Sequence, residues 1–299
     1  MKHYIKIFVK FLFTTCRKFF HTNISLFTVF TSSKYNVSIK SINDTGNCYI
    51  LGNGPSLKED LLNNFIVLKS NKLFVVNNFA KSDYYIKLKP QYYVFADPAY
   101  WSTEQNNIVE SCRSTLEIIK DITEWEMKIF VPYVALKNIW FRDFFKCNKN
   151  ITLVSFNTTF ISDKGFEWST LFFYKNNLAA PRIQNVLMSA IFISINIGLS
   201  EINILGSDHG WTKELFVNEK NQVCIYESHF YDKEKKDFNV FKRLDGSVYK
   251  MHEILRDFAF MFEGYHLLKK YGNNLGVKIY NRTANSFIDA FERKNLDNF

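Results

Sequence analysis

The chain has little to staple itself with. Its five cysteines, Cys16, Cys48, Cys112, Cys147 and Cys224, are odd in number and never stand two residues apart. That excludes a disulfide-framed secreted scaffold and the paired-cysteine zinc motifs, and leaves reduced, mostly buried cytosolic thiols. Acidic residues are absent from positions 1–40, which carry Lys2, Lys6, Lys10, Arg17, Lys18, Lys34 and Lys40, seven of the net nine positive charges. The remaining body is nearly neutral and lacks the clustered cations that a nucleic-acid backbone requires, so nucleic acid is excluded as a partner. Neither a GK[ST] phosphate loop nor a GxGxxG fingerprint is present, and no Asp-X-Asp element exists to hold a divalent cation. The expected chemistry therefore uses no metal and no resident cofactor.

What is present is a large apolar share, 47%, enough for a substantial core. It begins in residues 1–30, rich in Phe, Ile, Leu and Val, where Lys6, Lys10, Arg17 and Lys18 interrupt every stretch long enough to span a bilayer. On a helical wheel Lys2, Lys6, Lys10 and Arg17 fall within about 80° of one another, with Ile7, Phe8, Phe11, Leu12 and Phe19 largely opposite. This is the pattern of a helix lying in the lipid interface, with cations towards anionic headgroups. Val9, Phe13 and Phe20 intrude on the basic side, so an ordinary helix packed on the domain is the competing expectation. No small-residue cleavage site follows, which argues against a cleavable leader. Residues 31–46, rich in Ser and Asn, read as a linker, and 47–299 as one domain.

Strand patterns are expected at 48–51, 73–76, 92–96, 128–131, 151–156, 201–205 and 277–280, and helices at 58–64, 182–197 and 252–270. Gly198 and Gly272 close the last two helices. The alternation predicts an α/β fold: a Rossmann-like, mainly parallel sheet with helices on both faces, plus the N-terminal amphipathic helix. Residues 157–182 carry no clear pattern and read as a mobile loop.

Ligands of such sheets bind beyond the carboxyl ends of the strands. Four strand ends stop in chemistry-bearing residues: Gly52-Asn53-Gly54-Pro55-Ser56, Asn77-Asn78, Asp97-Pro98, and Gly206-Ser207-Asp208-His209-Gly210. The first allows close backbone approach to a ligand at Gly52 and Gly54, a hydrogen bond from Asn53 and a helix cap from Ser56. Taken together they are candidate ligand-binding positions. Two histidines are candidate general bases, His229 in the polar segment 228–232 and His252 at the opening of the last long helix. Asp97 and Asp208 could also meet at one ion.

CYILGNGPSL (48–57), FVVNNFAKSDYY (74–85), YVFADP (93–98) and IGLSEINILGSD (197–208) resemble, in order and spacing, the bacterial sialyltransferases of glycosyltransferase family 42. They also resemble the related domain of MptE-like pterin diphosphokinases and flagellin-glycosylating accessory factors. The resemblance spans about residues 47–290, with GNGPSL its most specific piece. It implies a cytidine-nucleotide sugar donor, inversion at the anomeric carbon, no metal and a histidine base. By position, Asn53, Ser56 and Asn77 would contact the nucleotide, and His252, with His229 its rival, would be the base.

Three departures qualify it. Asp97 stands where the family has Asn, and its carboxylate would repel a carboxylated sugar, which points to a donor sugar other than sialic acid. The family's Ser-Gly before the central helix is replaced around Gln184-Asn185-Val186. The tyrosine after Gly-X-Asp is missing, which leaves the departing phosphate to His209, Tyr226 or Tyr231.

The expectation is a metal-independent inverting glycosyltransferase. It would sit peripherally on the cytoplasmic face of the cytoplasmic membrane and pass a sugar from a CMP-sugar to a glycan or glycolipid acceptor, such as lipopolysaccharide, O-antigen or capsule. Asp208, His229 and His252 are its catalytic candidates. Gly52, Asn53, Gly54, Ser56, Asn77, Asn78, Asp97, Asn185, Ser207 and His209 are its donor-binding candidates, and self-association is left open. The alternatives are an ATP-dependent diphosphokinase, which would need magnesium, and a non-catalytic membrane adaptor.

Overall fold

The computed structural model describes residues 2–102, 104, 107–226, 229–231, 238–243 and 246–294. Eight strands form one parallel sheet: β1 (Asn47–Leu51), β2 (Lys72–Val76), β3 (Tyr92–Val94), β4 (Met127–Pro132), β5 (Ile151–Phe156), β6 (Glu201–Leu205), β10 (Lys278–Asn281) and β11 (Glu292–Arg293), in the spatial order β11-β10-β6-β1-β2-β3-β4-β5. The chain winds outward from β1 to β5, then returns to lay β6 on the other side of β1. The topological switch therefore falls between β1 and β6, where an open α/β sheet splays its loops apart and leaves a crevice.

Residues of each strand alternate between two cores. Cys48, Ile50, Phe74 and Val76 join one, while Tyr49, Leu51, Leu73 and Val75 join the other. Burial on both faces is why these strands read as short unbroken apolar runs. The first core is covered by α8 (Val186–Asn196) and α10 (Met251–Asn274). Every residue of α8 from Leu187 to Ile195 is buried, so its sequence is apolar all round. The second core is covered by α2 (Leu57–Asn63), α3 (Phe65–Lys69), α4 (Tyr84–Leu88), α5 (Glu110–Ile122) and α6 (Ile139–Phe144). Inside β6 one polar residue is wholly buried. Asn203 donates to Cys48 O at 3.3 Å on β1 and accepts from Arg282 Nε just beyond β10.

Beyond Gly272, which lies inside α10 rather than closing it, and Ser56, whose side chain makes no cap bond to α2, three features differ from the expectations. Residues 157–182 are not a loop throughout. They contain α7 (Glu167–Lys175), whose Phe173 and Tyr174 are buried, and Phe160 forms a bridge with Ala180. A second, antiparallel sheet of β7 (Leu215–Val217), β8 (Val223–Ile225) and β9 (Asn239–Val240) follows the short α9 (Trp211–Glu214) and was not foreseen. The third concerns α1 (Lys2–Ser32), which is helical as expected but packs by its polar side. Thr22, Ser25 and Val29 are buried, and Phe166 N–H donates to Thr22 Oγ1 at 2.9 Å. Gly165 approaches so closely that a Cβ there would lie 2.7 Å from Thr22 Oγ1. Meanwhile Phe8, Phe11, Phe13, Phe19, Phe27 and Phe30 are all more than 60% exposed. Beyond α1 the segment is docked: Lys34 N–H donates to Asn157 Oδ1 at 3.0 Å and Ser38 N–H to Ser155 Oγ at 3.0 Å, and Ile39 is fully buried.

Candidate functional site

At the switch point β1 and β6 end in glycines that touch. Gly52 N–H donates to Leu205 O and Gly54 N–H to Gly206 O, each at 2.8 Å. A Cβ on Gly52 would lie 2.3 Å from Gly206 O, so only glycine permits the approach. Gly206 also takes φ 64°, in the left-handed region. Above this junction opens a cavity of about 990 Å³ lined by the ends of β1, β2, β3 and β6, the N-terminus of α8 and the β7–β9 side.

The fold brings to this cavity Gly52, Asn53, Gly54, Asn77, Asn78, Asp97, Asn185, Ser207, Asp208, His209 and His229. Asn53 Nδ2 donates to Val76 O at 3.1 Å, which ties the β1 loop to β2 and fixes the carboxamide's orientation. Its Oδ1 is buried and has no partner among the described residues, and the same holds for Asn77 Oδ1 and Gln184 Nε2. Unsatisfied buried polar atoms are rare in folded proteins, and three of these lie around one cavity. Asn77 is also held at φ 47°. Asn78 is more structural, because its Oδ1 accepts from Tyr100 Oη at 2.9 Å and Thr115 Oγ1 at 2.6 Å. Asp97 lies exposed at the mouth and caps a short turn by accepting from Ala99 N–H at 2.9 Å. Ser207 is buried, its N–H donating to Thr283 Oγ1 at 3.1 Å.

Ser56 does not line the cavity. Its hydroxyl donates to Asp208 Oδ2 at 2.8 Å and so acts on the site through that carboxylate. Burial raises the Asp208 pKa, opposed by the hydrogen bonds from Ser56. His252 is not brought to the cavity. It stands exposed on the first turn of α10, where the neighbouring Glu253 does the capping: its Oε2 accepts from Lys250 N–H at 2.8 Å and pairs with Arg243 at 2.8 Å. His229 is over the glycine loop, because Phe230 N–H donates to Asn53 O at 3.2 Å, and its ring stacks on Tyr231 with centroids 5.0 Å apart. Ser228 and Asp232, its neighbours in sequence, lie outside the described residues.

Lys213, Phe287 and Asn285, which belong to none of the strand-end motifs, also line the cavity, as does Gln184 from the segment before α8. Lys213 Nζ lies 4.8 Å from the Phe287 ring centroid and brings a cation to the lining. Only the turn after Gly210 could have signalled it. Among the described residues no three His, Cys, Asp or Glu side chains gather as a metal set.

Below the loop, Asp60 Oδ2 is buried with no partner among the described residues, and burial followed by the charges of Asp208 and Glu59 pushes its pKa up to about 6 from 3.8. The folded chain thus keeps a proton that the unfolded chain releases between pH 4 and 6. Stability falls as pH rises through that window and stays lower above it. We expect Asp60→Asn to remove this loss, so that thermal melts of variant and wild type diverge from pH 4 to 7 in the variant's favour. Parallel curves would place the carboxyl in water.

No family model matches the chain, and no curated protein matches it. Among solved structures, a MAf glycosyltransferase from Magnetospirillum magneticum AMB-1 aligns with a TM-score of 0.47 at 11% identity, over 86% of this chain and 37% of that one. This chain thus spans little more than a third of that protein's length.

Proposed function

We propose that the cavity binds a nucleotide-sugar, a CMP-sugar by the motif resemblance, and that the chain transfers its sugar with inversion and without a metal to a hydroxyl of a bacterial surface glycan. The observation that carries this is the junction of β1 and β6. A glycine-to-glycine contact at the switch point opens into a cavity whose carboxamide oxygens on Asn53 and Asn77, unpartnered among the described residues, call for N–H or O–H donors such as a base amino group or ribose hydroxyls. The phosphate then falls to the N-terminus of α8, capped by Asn185, and to Lys213. Trp211, Tyr226, Phe241 and Phe287 offer flat faces for sugar rings.

The acceptor hydroxyl gives its proton to His229 as it attacks the anomeric carbon, and the bond from that carbon to the phosphate oxygen breaks with CMP leaving. Two outcomes are expected. Turnover with a CMP-sugar releases CMP, whereas release of AMP from ATP with a pterin-like alcohol would establish the diphosphokinase instead. His229→Ala lowers turnover about 100-fold or more, and His252→Ala stays within about twofold. The reverse ranking would return the base to α10.

The proposal includes an anionic membrane surface as the partner of α1, with the chain acting on a lipid-linked acceptor there. Support comes from the outward phenylalanines of α1, from Lys6, Lys10, Arg17 and Lys18 among them with no acid in the helix, and from Trp168 and Phe172 exposed on the adjoining α7. Among the described residues no helix is long and apolar enough to cross a bilayer.

A further inference from the structure

His209 is held at three points. Its backbone sits at φ 54°, a region that residues with a Cβ enter at a cost. Its ring lies on Trp211, centroids 4.4 Å apart. Its Nε2 is 2.6 Å from Tyr265 Oη and 3.3 Å from Asn185 Nδ2.

Asn185 decides which ring nitrogen carries the proton. As the cap of α8, its Oδ1 accepts from Met188 N–H at 3.0 Å. A backbone N–H only donates, so the carboxamide cannot be turned over, and its Nδ2 must face Tyr265 and His209. Nδ2 in turn only donates, to Tyr265 Oη at 2.9 Å and towards His209 Nε2. Were Nε2 protonated, its hydrogen would meet that amide hydrogen, and the phenol would have to turn its own hydrogen to Asn185 Oδ1 at the longer distance of 3.2 Å. With Nε2 as a lone pair, the phenol donates to it at 2.6 Å and each contact is satisfied. The imidazole proton is then on Nδ1. No hydrogen bond joins Nδ1 to another group among the described residues, and the ring lines the cavity.

We propose that His209 is a neutral hydrogen-bond donor locked in one tautomer, its Nδ1–H offered to a phosphate oxygen of the bound nucleotide, with Asn185 and Tyr265 as the positioning residues that hold it. The ligand half rests on the nucleotide reading given above; the tautomer half does not. Phosphate is the acceptor that fits, because the same Asn185 caps the α8 terminus and Lys213 lies in the same lining. Burial holds the imidazole pKa down to about 3, so the donor keeps its form across working pH. A neutral, pre-aimed N–H stabilises charge growing on the leaving phosphate without a proton changing hands.

The test is ring nitrogen NMR on the full-length chain, with the His209 signals assigned by their loss in His209→Ala. The Nδ1–H tautomer is expected from pH 5 to 9, with the Nδ1 proton moving downfield on addition of CMP and, more weakly, of inorganic phosphate. Tyr265→Phe should release a mixture of tautomers. An Nε2–H form, or a histidinium in that range, overturns the proposal outright. A CMP complex seen through other signals but not at Nδ1 overturns its ligand half, and so does failure of CMP to bind, which also removes the nucleotide reading while leaving the tautomer result standing. In turnover, His209→Ala should cost about 100-fold. His209→Asn, which tolerates the left-handed backbone and keeps an N–H near the place of Nδ1–H, should recover about tenfold of it. Equal loss in both variants would mean a packing role only.

Discussion

Gly54→Ala loses CMP binding by about 100-fold or more while the chain stays folded. A methyl carbon there would lie 1.9 Å from Asp208 Oδ2 and 2.8 Å from Gly206 O. The carboxylate is the movable partner of the severe contact, so it swings away, gives up its 2.8 Å bond from Ser56 and enters the space a phosphate or sugar would use, while the milder contact with Gly206 O takes a small backbone shift. Overpacking of this kind costs about 1–3 kcal/mol, part of it relieved by the side-chain motion. Gly52→Ala offers the contrast. Its methyl would meet Gly206 O at 2.3 Å, a carbonyl fixed at the end of β6, and the relief is denied. We expect a loss of about 3 kcal/mol and a melting point lower by roughly 5 °C or more. Calorimetric titration with CMP and thermal unfolding separate the two effects. Wild-type CMP affinity in Gly54→Ala would remove the loop from the ligand's floor.

The second large effect concerns the outer face of α1. Phe8 and Phe11 are 61% and 64% exposed, one turn apart. Burying a phenylalanine is worth about 1.5–3 kcal/mol, so replacing both by aspartate forfeits at least about 3 kcal/mol, a hundredfold or more in partition. Sedimentation with vesicles containing phosphatidylserine should show wild type bound and the double variant free, with helix content unchanged by circular dichroism. Each lysine or arginine near an anionic surface adds about 1 kcal/mol, so 1 M salt should weaken the wild type as well. If vesicles bind neither protein and the substitutions convert a dimer to a monomer, the occupant of this face is a second copy of the chain.

Much of the sheet was legible because a strand buried on both faces writes itself as a short apolar run ending in polar residues. Strands β1, β2 and β3, with the apolar residues that continue β3 to Ala96, have that form most clearly, whereas β7 and β8 are short strands of a small antiparallel sheet with no such run around them. Helix α7 escaped notice because its aromatic residues point both ways: Trp168 and Phe172 are exposed while Phe173 and Tyr174 are buried, so no apolar stripe appears. The helical nature of α1 was readable, but not its seat, since Thr22 and Ser25 win the packed position through Gly165 and Phe166, distant in sequence. In the cavity, the strand-end residues Gly52, Asn77 and Asp208 could be found because topology sends strand ends to one place. Lys213 on α9 and Phe287 between β10 and β11 follow no strand of the parallel sheet in that way, and only the finished fold brings them in. Motif position puts His252 ahead of His229, the reverse of the proposed assignment. What separates them is a backbone bond from Phe230 to Asn53 on one side and the Glu253 cap on the other.

Asn203 is the buried polar tooth between the isoleucines of β6. A one-residue slip of β6 would turn its carboxamide out of the sheet's polar latch on Cys48 O and Arg282 and expose it, unbonded, to hydrocarbon on either side. The isoleucines flanking it would tolerate many alignments; the asparagine tolerates one. Because that alignment also fixes how far Gly206 travels before it meets Gly52, an error of 3.4 Å, about one residue's rise, would leave the two loops unable to close on a ligand at all.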